Sequence, residues 1–147
     1  MNTTLNAVFA SRASWGLSVI RIIVGIIFMA HGAQKLFGLF GGGGLAGTAQ
    51  FMESLGLAPG LLMALLSGGA EFFGGLALVV GLLVRPAALA LTVTLIVAIF
   101  SAHIGNGLFM ANNGYEFALA LLAGTVALMI EGAGRLSLDG LVVRSKV

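Results

Sequence analysis

Residues 15–37 read WGLSVIRIIVGIIFMAHGAQKLF, an apolar run in which only Arg21, His31 and Lys35 can carry charge. A hydrocarbon core takes about 20 helical residues to cross, so this stretch is long enough to span a membrane as one helix. It is also longer than the apolar core of about 7–15 residues in a secretory signal, and it lacks a clear small-x-small cleavage site. It is therefore read as a retained first transmembrane helix.

Outward from that run, the rest of the chain repeats its character. Further apolar segments cover about 60–84, 86–104 and 114–130, each close to spanning length. Hydrophobic residues make up 59% of the 147 and charged residues 8%, with a mean hydropathy of +1.12, a composition that lipid rather than water must solvate. The expected fold is all-α: an integral membrane bundle of four transmembrane helices in a single domain over residues 1–147. Between the first two spans, the Gly41–Gly44 run leads into Thr48–Leu55, where Phe51, Met52 and Leu55 predict a short interfacial helix in the first outer loop. A tight hairpin is expected at Arg85-Pro86, because a helix rarely continues through the residue before proline.

Charge gives the orientation. Arg12, Arg85, Arg135, Arg144 and Lys146 all fall on one side when four spans are threaded, which predicts cytoplasmic N- and C-termini. The pI near 9.7 reflects seven Lys+Arg against five Asp+Glu with no basic stripe, so it reads as membrane orientation and not as nucleic-acid binding. The absence of cysteine excludes thiol–disulfide exchange, cysteine-ligated iron–sulfur clusters and thiolate zinc. Redox chemistry would have to belong to a bound cofactor or a partner. The 23 glycines, including Gly25, Gly32, Gly68, Gly69, Gly74, Gly75 and Gly81, predict close helix packing and make a homo-oligomer plausible.

Ionisable groups are costly inside a membrane, so their depths are informative. At the helical rise per residue, His31 lies roughly 24 Å above Trp15, Glu71 roughly 21 Å above Arg85, His103 roughly 26 Å above Pro86 and Glu116 roughly 22 Å above Glu131. One group from each helix thus reaches a common level in the outer half, with Lys35 one turn above His31. Two imidazoles, two carboxylates and an ammonium at one level can bind a polar head-group, exchange protons or hold a metal. Each has a plainer reading. Glu116 follows Asn113 by three residues and can complete a helix cap, Lys35 can snorkel, and the histidines and Glu71 can serve as interhelical hydrogen-bonding groups. No His-x-x-x-His or Glu-x-x-His pair lies on one helix, so no metal site is expected. Arg21, roughly 9 Å above Trp15, is too low for this layer and either snorkels inward or pairs with Glu131.

Arg21-Ile-Ile-Val-Gly25 followed by His31-Gly32-Ala33-Gln34-Lys35-Leu36 resembles the first-helix signature of the DoxX family. Ser54-Leu55-Gly56-Leu57, Glu71 with Gly74-Gly75-Leu76-Ala77-Leu78, Gly81 and Arg85-Pro86-Ala87-Ala88 resemble its central block. Gly114-Tyr115-Glu116 and Gly134-Arg135-Leu136-Ser137-Leu138-Asp139 resemble its final block. The resemblance runs in order from about Arg21 to Asp139 and implies a multi-pass protein of the plasma (inner) membrane. The family includes the small-subunit homologue of a thiosulfate:quinone oxidoreductase, and other relatives are tied to oxidative, thiol or quinone stress, in one case through a complex with soluble detoxifying enzymes.

Three functions are compatible with these features. The first is a quinone-interacting oxidoreductase subunit, with His31, Glu71, His103 and Glu116 as the catalytic layer and a non-covalently bound quinone as its cofactor. Lys35, with Gln34 and Tyr115 from the matching blocks, would bind substrate, and Lys35 would draw in a thiosulfate-like anion. The second is a scaffold for soluble oxidative-stress enzymes, and the third a small proton-coupled transporter, which four helices would form only as an oligomer.

Overall fold

The computed structural model describes residues 14–144, and these are all-α. Arg12 and Lys146, on which part of the charge-based orientation rests, lie outside the described residues.

Helix α1 spans Trp15–Phe37, the bounds expected from its apolar run. Ser14 opens it by accepting from the Leu17 N–H at 3.4 Å. Gly38 closes it in the left-handed conformation that glycine adopts without steric cost. The short outer helix α2 spans Gly44–Ser54 and starts earlier than Thr48; it buries Thr48 and Met52 and leaves Phe51 exposed. Helix α3 is Gly60–Val80, α4 is Val84–Ala98, and α5 is Glu116–Glu131. The short α6, Leu138–Arg144, ends the described chain. Beyond Ala98, α4 continues through a π-helical turn, Ile99–His103, and a 3₁₀ turn, Ile104–Asn106.

Three of these rods are long and apolar enough to cross a membrane: α1, α3 and the continuous stretch Val84–Asn106. Helix α5 has 16 residues, shorter than the about 20 that a bare crossing takes. Large apolar side chains such as Val19, Ile23, Leu62 and Val93 are more than 45% exposed, which suits a helix whose outer face meets lipid.

The tightest pairing joins α1 and α3, which run antiparallel. Glycines recur every seven residues on both, Gly25 and Gly32 against Gly68 and Gly75, so the backbones touch along one seam. A Cβ on Gly32 would sit 2.4 Å from the Phe72 nitrogen, and one on Gly75 would sit 2.6 Å from the Met29 nitrogen. In lipid there is no hydrophobic drive between helices, so such backbone contact supplies the van der Waals energy that holds them. Helix α5 packs on α4, where the buried Thr92 hydroxyl donates to Thr125 Oγ1 at 2.9 Å. Val24, Phe28, Leu78, Leu91, Leu121 and Leu128 fill the space between the helices.

The hairpin between α3 and α4 falls at Gly81–Leu83, four residues before the expected Arg85-Pro86. Pro86 instead occupies the first turn of α4, where a helix has no use for the missing N–H. Gly81 ends α3 at φ 75°, and the buried Asp139 carboxylate accepts from the Leu83 and Val84 N–H groups at 2.8 and 3.0 Å. A side chain from the tail thus caps the start of α4.

Candidate functional site

The α1–α3 seam brings the outer polar groups together. Gly68 lets α1 approach so closely that a Cβ there would lie 2.8 Å from the Leu36 side chain and 3.3 Å from Lys35 Cβ. Glu71, one turn further along the same face of α3, accepts from Lys35 Nζ through Oε1 at 2.5 Å. Lys35 is therefore paired rather than snorkelling. Glu71 is 6% exposed, and its second oxygen, Oε2, is buried with no hydrogen-bond partner. A buried acceptor left in that state costs about 1–3 kcal/mol, which a donor arriving from a ligand or a water would recover.

Lys35 and Glu71 border a cavity of about 640 Å³. His31 and His103 line the same cavity, so four groups expected at one level share one space. His31 sits one helical turn below Lys35, with its ring 6.2 Å from that of Phe117. His103 stands in the π-helical turn, and its Nδ1 lies 3.0 Å from the Asn113 carbonyl. A carbonyl only accepts, so Nδ1 carries the hydrogen; neutral His103 then keeps its lone pair on Nε2. The remaining walls are mostly apolar, with Phe28, Met63, Leu66, Val93, Val97 and Leu121 among them.

Three expected site residues lie elsewhere. Glu116 does not line the cavity; its Oε1 accepts from the Met110 N–H at 2.7 Å, tying the outer loop to the first turn of α5. Gln34 donates to the Phe40 carbonyl at 3.2 Å, and Tyr115 packs against the apolar core. Among the described residues, no three His, Cys, Asp or Glu side chains converge to hold a metal ion.

A second polar cluster, at the opposite end of α1, has a different character. Arg21 is 1% exposed, and its Nη1 donates to the Leu78 and Val79 carbonyls while Nη2 donates to that of Leu136. Ser18 Oγ accepts from the Arg135 and Leu136 N–H groups at 2.9 and 3.3 Å, and the Arg135 guanidinium lies 5.5 Å from the centre of the Trp15 ring. The Asp139 N–H donates to the Gly81 carbonyl at 2.9 Å. The tail is thereby bound to α1, α3 and α4 at once. Asp139 appears in the sequence only as part of a motif, and its capping role depends on a fold that local reading does not supply.

Comparison with known proteins adds to this geometry. The DoxX family model matches residues 16–104, a segment that contains all four cavity groups. A Bacillus subtilis (strain 168) protein named "Putative oxidoreductase CatD" is 34% identical over 131 residues, covering 89% of this chain and 90% of its own length. The inner membrane protein YqjF of Escherichia coli (strain K12) is 35% identical over 133 residues, covering 86% of this chain and 92% of its own. No solved structure matches.

Proposed function

This chain belongs to the DoxX family of membrane proteins, and from that premise we propose that it is a quinone-interacting subunit of an inner-membrane redox system protecting against oxidative stress. The observation that carries the reading is the form of the cavity: largely apolar walls bordered by Lys35, Glu71, His31 and His103, with Glu71 Oε2 lacking a donor. A planar, mostly apolar ring bearing carbonyl or hydroxyl oxygens suits such a space. The oxidoreductase name of one relative and the inner-membrane name of another agree with this class and location. In the same reading α5 is the fourth crossing, both termini are cytoplasmic, and α2 lies at the outer interface.

Quinone reduction to the quinol takes up two electrons and two protons. The electrons come from a partner subunit, and the chain's own residues handle the oxygens and protons. Lys35 Nζ, held by the Glu71 carboxylate, donates a proton to one quinone oxygen and takes one back from water once the quinol has left. Doubly protonated His103 donates from Nε2 while Nδ1 stays on the Asn113 carbonyl; in its neutral form it accepts from a quinol hydroxyl through Nε2. Glu71 Oε2 accepts from the second quinol hydroxyl. Because Lys35 is neutralised by Glu71, it offers no net charge to a thiosulfate-like anion, and the substrate expected here is the quinone alone.

The test is quinone-analogue binding to detergent-purified protein, with Glu71→Gln and His31→Ala compared after both are shown to be folded. Saturable binding by the wild type, weakened at least about tenfold in each variant, is expected. A folded wild type that binds no analogue overturns the reading and leaves the membrane scaffold for soluble enzymes in its place.

A further inference from the structure

We propose that the cavity is loaded sideways from the bilayer through the gap between α3 and α4, and that its ligand is a tailed amphiphile whose tail stays in that gap. The inference rests on the functional reading above for the head-group and adds the route and the tail.

Three observations carry it. First, the outer end of the cavity is roofed. Helix α2 and the turn after it contribute Phe51, Met52, Leu55 and Leu57 to the lining, and Thr48 Oγ1 fastens α2 to α1 by donating to the Lys35 carbonyl at 3.1 Å. A water-soluble ligand would have to pass this apolar cover.

Second, α3 and α4 touch on the hairpin side of the cavity, and both line it beyond that contact. A Cβ on Gly74 would meet Leu91 at 3.2 Å, whereas beyond that crossing both helices give side chains to the cavity wall. Several of these wall residues are also open to the exterior: Leu66 on α3 is 58% exposed, and Val93 and Val97 on α4 are 53% and 45% exposed. They lie on rods that are apolar enough to cross a membrane, so what meets them from outside is acyl chain.

Third, small residues stand among the cavity's lining on both helices, Ala70 on α3 with Ala90 and Ala98 on α4, which leave room for a methylene chain. The hydroxyls beside them are already satisfied by their own helix: Thr94 donates to the Ala90 carbonyl at 3.0 Å and Ser101 to the Val97 carbonyl at 2.6 Å. The passage therefore presents methyl groups, while the buried Glu71 Oε2 waits at the polar wall. In lipid a tail gains little by moving from acyl chains into such a gap. Its role is geometric, as it holds the head-group in one orientation against Lys35 and Glu71.

The experiment is photolabelling of the wild-type protein in nanodiscs with a decyl-tailed benzoquinone bearing a diazirine on its tail, alongside binding of the same quinone and of tail-less dimethoxybenzoquinone to Ala70→Phe and Val97→Trp. Labels on peptides containing Leu66 or Val97, competed away by excess unlabelled quinone, are expected. So is a loss of binding in the filled variants at least about tenfold greater for the tailed quinone than for the tail-less one. Thermal unfolding in detergent shows that the variants fold, and Val97→Trp, at an exposed position, guards against a collapse of Ala70→Phe. Competed labels confined to α1, α2 or α5, or equal changes in the binding of the two quinones in the filled variants, would overturn the lateral route while leaving the quinone site standing. A wild type that binds neither quinone overturns both.

Discussion

Helix α1 carries two cations fourteen residues apart, and the protein treats them in opposite ways. Arg21 is enclosed: carbonyls from α3 and from the tail take its terminal N–H groups, Nε lacks a partner, and Arg21 does not line the outer cavity. Lys35 has a single carboxylate partner whose other oxygen is unmatched, and both residues of the pair border the cavity. Charge within a membrane helix does not separate structural from functional groups, since both are costly there. The nature of the partners does, backbone carbonyls for Arg21 and one side-chain carboxylate for Lys35. The inner cluster is bound by backbone carbonyls from two segments and reads as a clamp on the tail, while the outer one leaves a carboxylate oxygen unmatched beside an open space.

The largest effect is expected at the clamp. Asp139→Ala removes both acceptors for the Leu83 and Val84 N–H groups and takes away the carboxylate whose charge acts on Arg21. A loss of about 3–5 kcal/mol, typical of breaking a buried charged arrangement, is predicted and is measurable as SDS or thermal unfolding in detergent. A loss below about 1 kcal/mol, the net worth of one ordinary hydrogen bond, would mean that the tail merely rests on the bundle.

The seam that joins the two clusters comes next. Gly32→Ala drives a Cβ to 2.4 Å from the Phe72 nitrogen, so α1 and α3 must part. Overpacking of this kind costs about 1–3 kcal/mol. It should also weaken quinone binding, because Lys35 and Glu71 meet only across that seam. Gly69→Ala is the matched control. A Cβ there meets nothing within 4 Å, and the change should be neutral or stabilising by up to about 1 kcal/mol from helix propensity.

At the outer cluster the two readouts should separate. Glu71→Gln keeps the shape and one acceptor for Lys35, so unfolding should shift by no more than about 1 kcal/mol. Quinone-analogue binding should nevertheless fall at least about tenfold. Equal losses in stability and binding would make Glu71 a second clamp and erase the contrast with Arg21.

The same contrast explains what was legible in the sequence. The bounds of α1 follow from its own composition and its glycine stop, and they are observed as Trp15–Phe37. Helical rise alone places His31, Lys35, Glu71 and His103 at similar heights, and all four line the one cavity. What local reading misses depends on tertiary partners. Pro86 marks a helix boundary, but the turn sits at Gly81 because Asp139, more than fifty residues later, supplies the cap. The π-helical turn that carries His103 into the cavity wall leaves no periodicity signal. Arg21 looks like the most conspicuous intramembrane charge and proves to be bound by carbonyls of α3 and the tail.

Glu116 is the residue on which depth and partnership disagree, and it sets the smallest predicted effect. Its height matches the outer layer, yet its carboxylate reaches the Met110 N–H at 2.7 Å instead of the cavity. Glu116→Gln preserves an acceptor for that N–H and removes only the charge. Binding of the quinone analogue and unfolding should both stay within about 0.5 kcal/mol of wild type, the range of a change away from buried features. A tenfold loss of binding, with stability intact, would bring Glu116 back into the proton-handling set despite its position. It would mean that partners in the resting structure are a poorer guide to function than depth, and the distinction drawn between Arg21 and Lys35 would have to be made on cavity access alone.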